Sequence, residues 1–209
     1  MTSKEFRNSP LFLRTGFVTS GQWEIPLIRK QTLDLSSVEL ISCSDISSHD
    51  DRNRHKGIHH FVDDNRFEKL YKHPEIYIEL YSKYRFALTP DFSLYSEMNL
   101  WRQIESVGKS RWVGAKWQEA GMTVVTTISW GQPSSFRFCF DGVEKHSVVA
   151  VGMIGCKHGR VPFMRGYNEM LDRIEPEAVI CLGDPFPEMN GNIIKVDYIK
   201  SRRNNRNGR

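Results

Sequence analysis

The amino-acid sequence predicts an α/β protein whose mainly parallel sheet is built from βα units. Short apolar, β-branched runs recur along the chain, and stretches with helical spacing of apolar residues separate most of them. The first run is not followed by the Gly-x-Gly-x-x-Gly turn typical of a dinucleotide-binding open sheet. We therefore favour a barrel-like arrangement, an incomplete TIM-type barrel, over an open doubly wound sheet.

Seven runs have the length and apolarity of strands that are buried on both faces. In chain order they are Val38–Cys43, Ile58–Val62, Phe86–Thr89, Met122–Ser129, Val148–Ile154, Ala178–Leu182 and Ile193–Val196. The long intervals between most of them fit the crossovers that parallel neighbours require.

Helical spacing fills the longer intervals. After Val62, Pro74 predicts the start of a second helix, because proline is tolerated in a first turn but not in a helix interior. Residues 96–120 predict a long helix that Gly121 ends, and residues 163–174 predict another. Three aromatic residues spaced two apart fit either a short strand or an aromatic plug on the core: Phe136, Phe138 and Phe140.

Composition excludes wholesale disorder, since 39% of the 209 residues are hydrophobic and 26% are charged. No apolar run approaches the roughly 18 residues of a membrane-spanning helix, and no secretory signal is expected. The four cysteines form no zinc-binding pattern and favour a reducing cytoplasm. We expect one domain over residues 1–199, with a lead-in segment at 1–36, and a flexible basic tail at 200–209.

The net charge of +4 comes from that tail, which holds five basic residues and no acidic one. The remaining 199 residues are almost neutral, whereas a body that clamps duplex nucleic acid would carry a basic surplus. The tail either binds an anionic partner or is a solvated end that aids solubility.

Aspartates follow four of the predicted strands, where the ligand sites of parallel α/β proteins lie. They are Asp45, Asp63 with Asp64, Asp91 and Asp184. Converging carboxylates could hold Mg²⁺ or Mn²⁺, which prefer oxygen ligands. Alternatively, each Asp caps the backbone N–H groups of the following helix or turn. We take Asp63, Asp64 and Asp91 as candidate catalytic residues, and Asp63 and Asp91 as candidate metal ligands.

Other residues could bind a ligand at the same end of the sheet. Basic side chains suit phosphate, tryptophans suit stacking on bases, and loop residues could line a pocket. With Asp45 and Asp184, the candidate binding residues are Arg66, Arg111, Trp112, Trp130, Asp141, Gly155 and Lys157. For Trp112 and Trp130, packing in the core is the alternative.

Several sequence strings together carry a resemblance to a known family, among them FVDDNRFEKLY, ALTPDFSLY, SRWVGAKWQEAGMTVVTTISWG and SVVAVGMIGC. They resemble an uncharacterised family of phage, plasmid and bacterial mobile-element proteins, known only as a domain of unknown function. The resemblance covers residues 23–196 and implies a globular domain without a known reaction. It draws attention to residues within those strings and the string FCFDGV: Asp63, Asp64, Arg66, Asp91, Trp130, Asp141 and Gly155.

Two functions remain open. The first is an accessory protein of a phage or mobile element that binds a nucleotide, a nucleic acid or a host protein without turnover. The second is a metal-dependent phosphoester hydrolase or transferase that uses the carboxylates at the strand ends. The sequence contains no phosphate-binding P-loop, no serine-hydrolase elbow and no zinc-protease motif. If the protein is encoded by a phage, it would act in the host cytoplasm, without a membrane partner.

Overall fold

A computed structural model describes residues 1–156 and 159–202 of the chain. The strands within those residues are β1 (Thr19–Ser20), β2 (Ile25–Pro26), β3 (Leu40–Ser42), β4 (Gly57–His59), β5 (Phe86–Leu88), β6 (Val124–Thr127), β7 (Val148–Gly152), β8 (Ala178–Leu182) and β9 (Ile193–Val196). Strands β1 and β2 pair in an antiparallel ribbon before the main sheet.

The main sheet consists of β3 to β9, which lie side by side in the order of the sequence. Every neighbouring pair is parallel. The sheet curls through 244° and so forms an incomplete barrel. The predicted fold class, α/β with a parallel, barrel-like sheet, is therefore confirmed.

The α-helices of the described residues occupy three of the six crossovers between neighbouring strands of the main sheet. They are α1 (Ser3–Arg7), α2 (Pro10–Leu13), α3 (Glu68–Lys72), α4 (Pro74–Tyr81), α5 (Leu100–Glu119), α6 (Arg160–Ile174) and α7 (Tyr198–Arg202). Pro74 begins α4 as predicted. Gly121 follows the end of α5 in the left-handed backbone conformation, with φ +83°, which suits a residue without a Cβ. The predicted long helix begins at Leu100, four residues later than its apolar spacing suggested.

The aromatic segment that follows β6 contains a 3-10 helix, Pro133–Arg137, and no strand. Phe136, Phe138 and Phe140 are all buried in one core cluster. Of the two interpretations left open, the aromatic plug is correct. Cys139 is also buried there, so the plug fills the space between the sheet and helix α6.

Buried residues form two outer clusters and one inner cluster. The outer clusters lie between the convex face of the sheet and helices α3 to α6, with Trp117 and Tyr167 fully buried among them. The inner cluster contains alternate strand residues such as Leu88 and Ile180, and no residue of those helices. Tyr198 of α7 packs on it, and α7 also contacts β3. The last helix thus bridges the two edge strands of the open barrel.

Candidate functional site

A cavity of about 510 Å³ opens at the carboxyl ends of strands β3 to β7, and we call it the mouth pocket. Its lining comes from five successive strand ends and from α7. The lining residues are Ser44, Phe61, Val62, Asp63, Arg66, Asp91, Ser93, Leu94, Tyr95, Ser129, Gly152, Ile154, Cys156 and Tyr198. This is the edge at which a parallel barrel places its ligand sites.

Asp91 lies in the mouth pocket just beyond β5. Pro90 precedes it and has no N–H group to continue the ladder, so the chain leaves the sheet there. Burial raises the pKa of the Asp91 carboxyl to about 7, although a bond from the Ser129 side chain lowers it. The negative charge of Asp64 raises the pKa further, while Arg111 opposes it. Asp91 can therefore exchange a proton near neutral pH.

Asp64 is held beside Asp91 by Ser93. The Ser93 hydroxyl donates to Asp64 Oδ1 at 2.8 Å, and the Ser93 backbone N–H donates to Oδ2 at 3.2 Å. Both bonds use the Asp64 carboxylate oxygens as acceptors. The two neighbouring carboxyl groups thus have different surroundings, one bonded by two donors and the other largely desolvated.

Arg111 lies behind the pocket on α5 and is almost fully buried. Its guanidinium donates to the backbone carbonyls of Thr127 at 3.0 Å, Cys139 at 3.1 Å and Asp141 at 3.2 Å. Burial lowers its pKa to about 10, so it stays charged at neutral pH. Arg111 therefore ties α5 to the end of β6 and to the segment of the aromatic plug, and it supplies a positive charge near Asp91 without lining the pocket.

The rim of the mouth pocket carries one charge of each sign. Asp63 precedes a 3-10 helix, Asp64–Arg66, and Arg66 is its last residue; both side chains are exposed. The Asp63 side chain makes no capping hydrogen bond to that helix. Asp63 can accept hydrogen bonds from a ligand, and Arg66 can bind an anionic group of the same ligand.

A second cavity of about 500 Å³, the side pocket, opens at the carboxyl ends of β7 to β9. It is lined by Met153, Ile154, Gly155, Gly183, Asp184, Phe186, Lys195, Asp197, Tyr198 and Ile199. Asp184 forms an ion pair of 2.6 Å with Lys195. The curl of the sheet therefore separates Asp184 from the mouth pocket that holds Asp63 and Asp91.

The remaining sequence candidates lie elsewhere. Trp112 is buried beneath Arg14, whose guanidinium carbon is 4.1 Å from the indole centroid. Trp130 packs on Phe163 with the ring centroids 5.0 Å apart. Asp141 is half-buried, and Asp45 follows the lining residue Ser44; both lie outside the two pocket linings. Lys157 lies outside the described residues.

Several lining residues were not among the sequence candidates. Ser129 is the last residue of a predicted strand, so its position could have identified it. Tyr95 and Tyr198 gave no signal, because the curl of the sheet and the packing of α7 bring them to the pocket. Within residues 1–156 and 159–202, no group of three or more His, Cys, Asp or Glu side chains is placed to hold a metal ion.

Fold and site together define a class: an incomplete parallel βα barrel with a polar, carboxylate-lined pocket at its strand carboxyl ends. Within this class, residues 17–199 match the family described as a domain of unknown function, DUF4417. The chain belongs to that family. The resemblance found in the sequence is thus confirmed.

Two relatives of the chain are phage proteins. The "Gene 1 protein" of Mycobacterium phage L5 is 36% identical over 177 residues, which cover 83% of this chain and 76% of the relative. The "Gene 1 protein" of Mycobacterium phage D29 is 34% identical over 178 residues, which cover 83% of this chain and 65% of the relative. No solved structure matches the chain. In the part of the chain that the structure describes, no helix has both the length and the apolarity to cross a membrane.

Proposed function

We propose that the protein binds a nucleotide in the mouth pocket as an accessory protein of a phage or mobile element, in the host cytoplasm. The observation that carries the proposal is the grouping of Asp91, Asp63 and Arg66 in one cavity of about 510 Å³. Small-molecule pockets typically measure about 300–1,000 Å³ and hold a few placed polar groups.

The chemistry of the lining suits the three parts of a nucleotide. Arg66 can pair with phosphate, and the Asp63 carboxylate can accept hydrogen bonds from sugar hydroxyls or from the amino groups of a base. The Asp91 carboxyl, whose pKa is about 7, can accept such bonds when ionised and donate one when protonated. Tyr95 in the lining, which is 61% exposed, offers an aromatic face for base stacking. A nucleotide therefore uses the positive group, the carboxyl groups and the aromatic group together.

The relatives from two mycobacteriophages support the accessory role, since their similarity covers most of this chain. For a host protein or a longer nucleic acid, the described residues supply no comparable observation. Residues 203–209 of the basic tail lie outside the described residues, so the tail carries no part of the proposal.

Calorimetric titration with the four ribonucleoside monophosphates and the four matching nucleosides tests the proposal. We expect Asp91→Asn to weaken both kinds of ligand, because its carboxylate would contact the sugar or base. Arg66→Gln should weaken the nucleotides by about tenfold and leave the nucleosides unchanged, because a charge-assisted bond to phosphate is lost.

Two exposed residues of α6 outside both pocket linings supply matched controls, Asp172→Asn and Arg165→Gln. Both should bind as the unaltered protein does. The proposal is wrong if no nucleotide binds at millimolar concentration, or if binding survives Asp91→Asn and Arg66→Gln unchanged. Repeating the titrations with Mg²⁺ or Mn²⁺ while following phosphate release tests the hydrolase alternative.

A further inference from the structure

We propose that the mouth pocket and the side pocket form one binding site for a dinucleotide, with one nucleoside in each cavity. This inference rests on the proposed nucleotide binding and specifies the class of ligand. It is carried by two cavities of similar size at the carboxyl edge of one sheet, which share the lining residues Ile154 and Tyr198.

The two cavities have a common wall. Ile154, just beyond β7, and Tyr198, at the start of α7, line both of them. Ile154 is 48% exposed, so this wall is a low boundary at the surface and not part of the packed core. A ligand that fills the mouth pocket can therefore cross the boundary without disturbing buried side chains.

Gly155 lies next to Ile154 and lines the side pocket. Its φ is +78°, and a Cβ built on it would meet no atom within 4 Å. The left-handed backbone favours glycine here, and the residue adds no side chain where the two cavities adjoin. The linking phosphate of a dinucleotide would lie over this boundary.

The side pocket has the groups that a second nucleoside requires. Phe186 offers an aromatic surface, and its ring is held by an edge-to-face contact with Phe163 at a centroid distance of 5.5 Å. Met153 and Ile199 add apolar surface, while Asp184 and Lys195 place a polar pair at the same cavity. A base can stack on the apolar part while its sugar hydroxyls reach the charged pair.

The volumes of the two cavities match a ligand with two nucleoside-sized halves. Each cavity measures about 500 Å³ and is large enough for one nucleotide-sized group, so a mononucleotide leaves one cavity empty. A dinucleotide fills both cavities, and its second half binds at high local concentration once the first is bound. We therefore expect it to bind about tenfold more tightly than either mononucleotide.

The test titrates the full chain with pApA, pGpG, pCpC and pUpU, and with the matching monophosphates. Ile199→Asp adds a carboxylate to the side pocket at a side chain that is 56% exposed, so it should leave the fold intact. We expect it to abolish the dinucleotide advantage and to leave mononucleotide affinity unchanged. Phe186→Ala should weaken only the dinucleotide, by about tenfold. Ile76→Asp, at an exposed position on α4, is the control.

Three outcomes distinguish the two-cavity site from nucleotide binding in the mouth pocket alone. A dinucleotide advantage that disappears in Ile199→Asp supports the two-cavity site. If mononucleotides bind and dinucleotides bind no more tightly, the two-cavity site is wrong while nucleotide binding stands. If neither class binds, both proposals are overturned.

Discussion

Replacing Asp91 by Asn should change how the stability of the protein depends on pH. Burial raises the pKa of this carboxyl from 3.8 to about 7. The fold therefore favours the protonated form, and ionisation opposes folding. The contribution of the protonated form is fully present below pH 3.8 and is lost as the pH rises through 7.

The magnitude follows from the pH window. Between about pH 4 and pH 7 the unfolded carboxyl is ionised and the folded one is protonated, so stability falls by about 1.4 kcal/mol per pH unit. From pH 5 to pH 8 the unaltered protein should therefore lose about 2–3 kcal/mol that Asp91→Asn does not lose. For a chain of this size, that corresponds to a difference in Tm of about 5–10 °C.

Urea unfolding of both proteins at pH 5, 6, 7 and 8, followed by circular dichroism, measures this difference. Comparing the two proteins at each pH removes the contribution of groups that do not interact with Asp91. Asp172→Asn, an exposed exchange of the same kind, should give the same pH dependence as the unaltered protein. A free-energy gap between the unaltered protein and Asp91→Asn that stays constant from pH 5 to 8 would refute the reasoning.

Three further outcomes are expected. Gly166→Ala should lower the free energy of unfolding by about 1–3 kcal/mol in urea, because the new Cβ would lie 2.3 Å from Trp130 Nε1. His60 should stay neutral in NMR titrations down to about pH 4, because burial lowers its pKa to about 3; protonation at pH 6 would contradict this. Arg111→Lys should cost about 3 kcal/mol or more, because an ammonium cannot reproduce the bonds to three carbonyls; urea midpoints equal to those of the unaltered protein would contradict it.

The fold class could be predicted because strands β3 to β8 of the main sheet are almost entirely buried, whereas the edge strand β9 has the exposed Lys195. Runs such as Ala178–Leu182 are apolar at every position, and long crossovers between most of them leave parallel pairing as the simplest arrangement. The residues that follow the predicted strands also included Asp63 and Asp91, which line the mouth pocket. The convergence of these two residues follows from parallel topology alone, because all carboxyl ends lie at one edge.

The rest depends on curvature and on distant segments of the chain. Asp184 follows a strand as Asp91 does, but the curl of the sheet places it in the side pocket. Trp112 looks available on a helix, yet Phe17 packs on it from the N-terminal segment, with the ring centroids 6.3 Å apart. Tyr198 reaches the pocket only because α7 packs across the open side. No local pattern encodes these long-range contacts.

The gap between the edge strands β3 and β9, which we call the seam, affects how the protein folds during synthesis. Its two margins are joined by α7, a segment that leaves the ribosome only after all seven strands have been made. Until then the inner apolar layer, including Leu40 and Val196, lacks the part of its cover that Tyr198 supplies. A ribosome-bound intermediate should therefore be cleaved more readily by protease at this seam. Cleavage should slow once the five residues of α7 pack against β3.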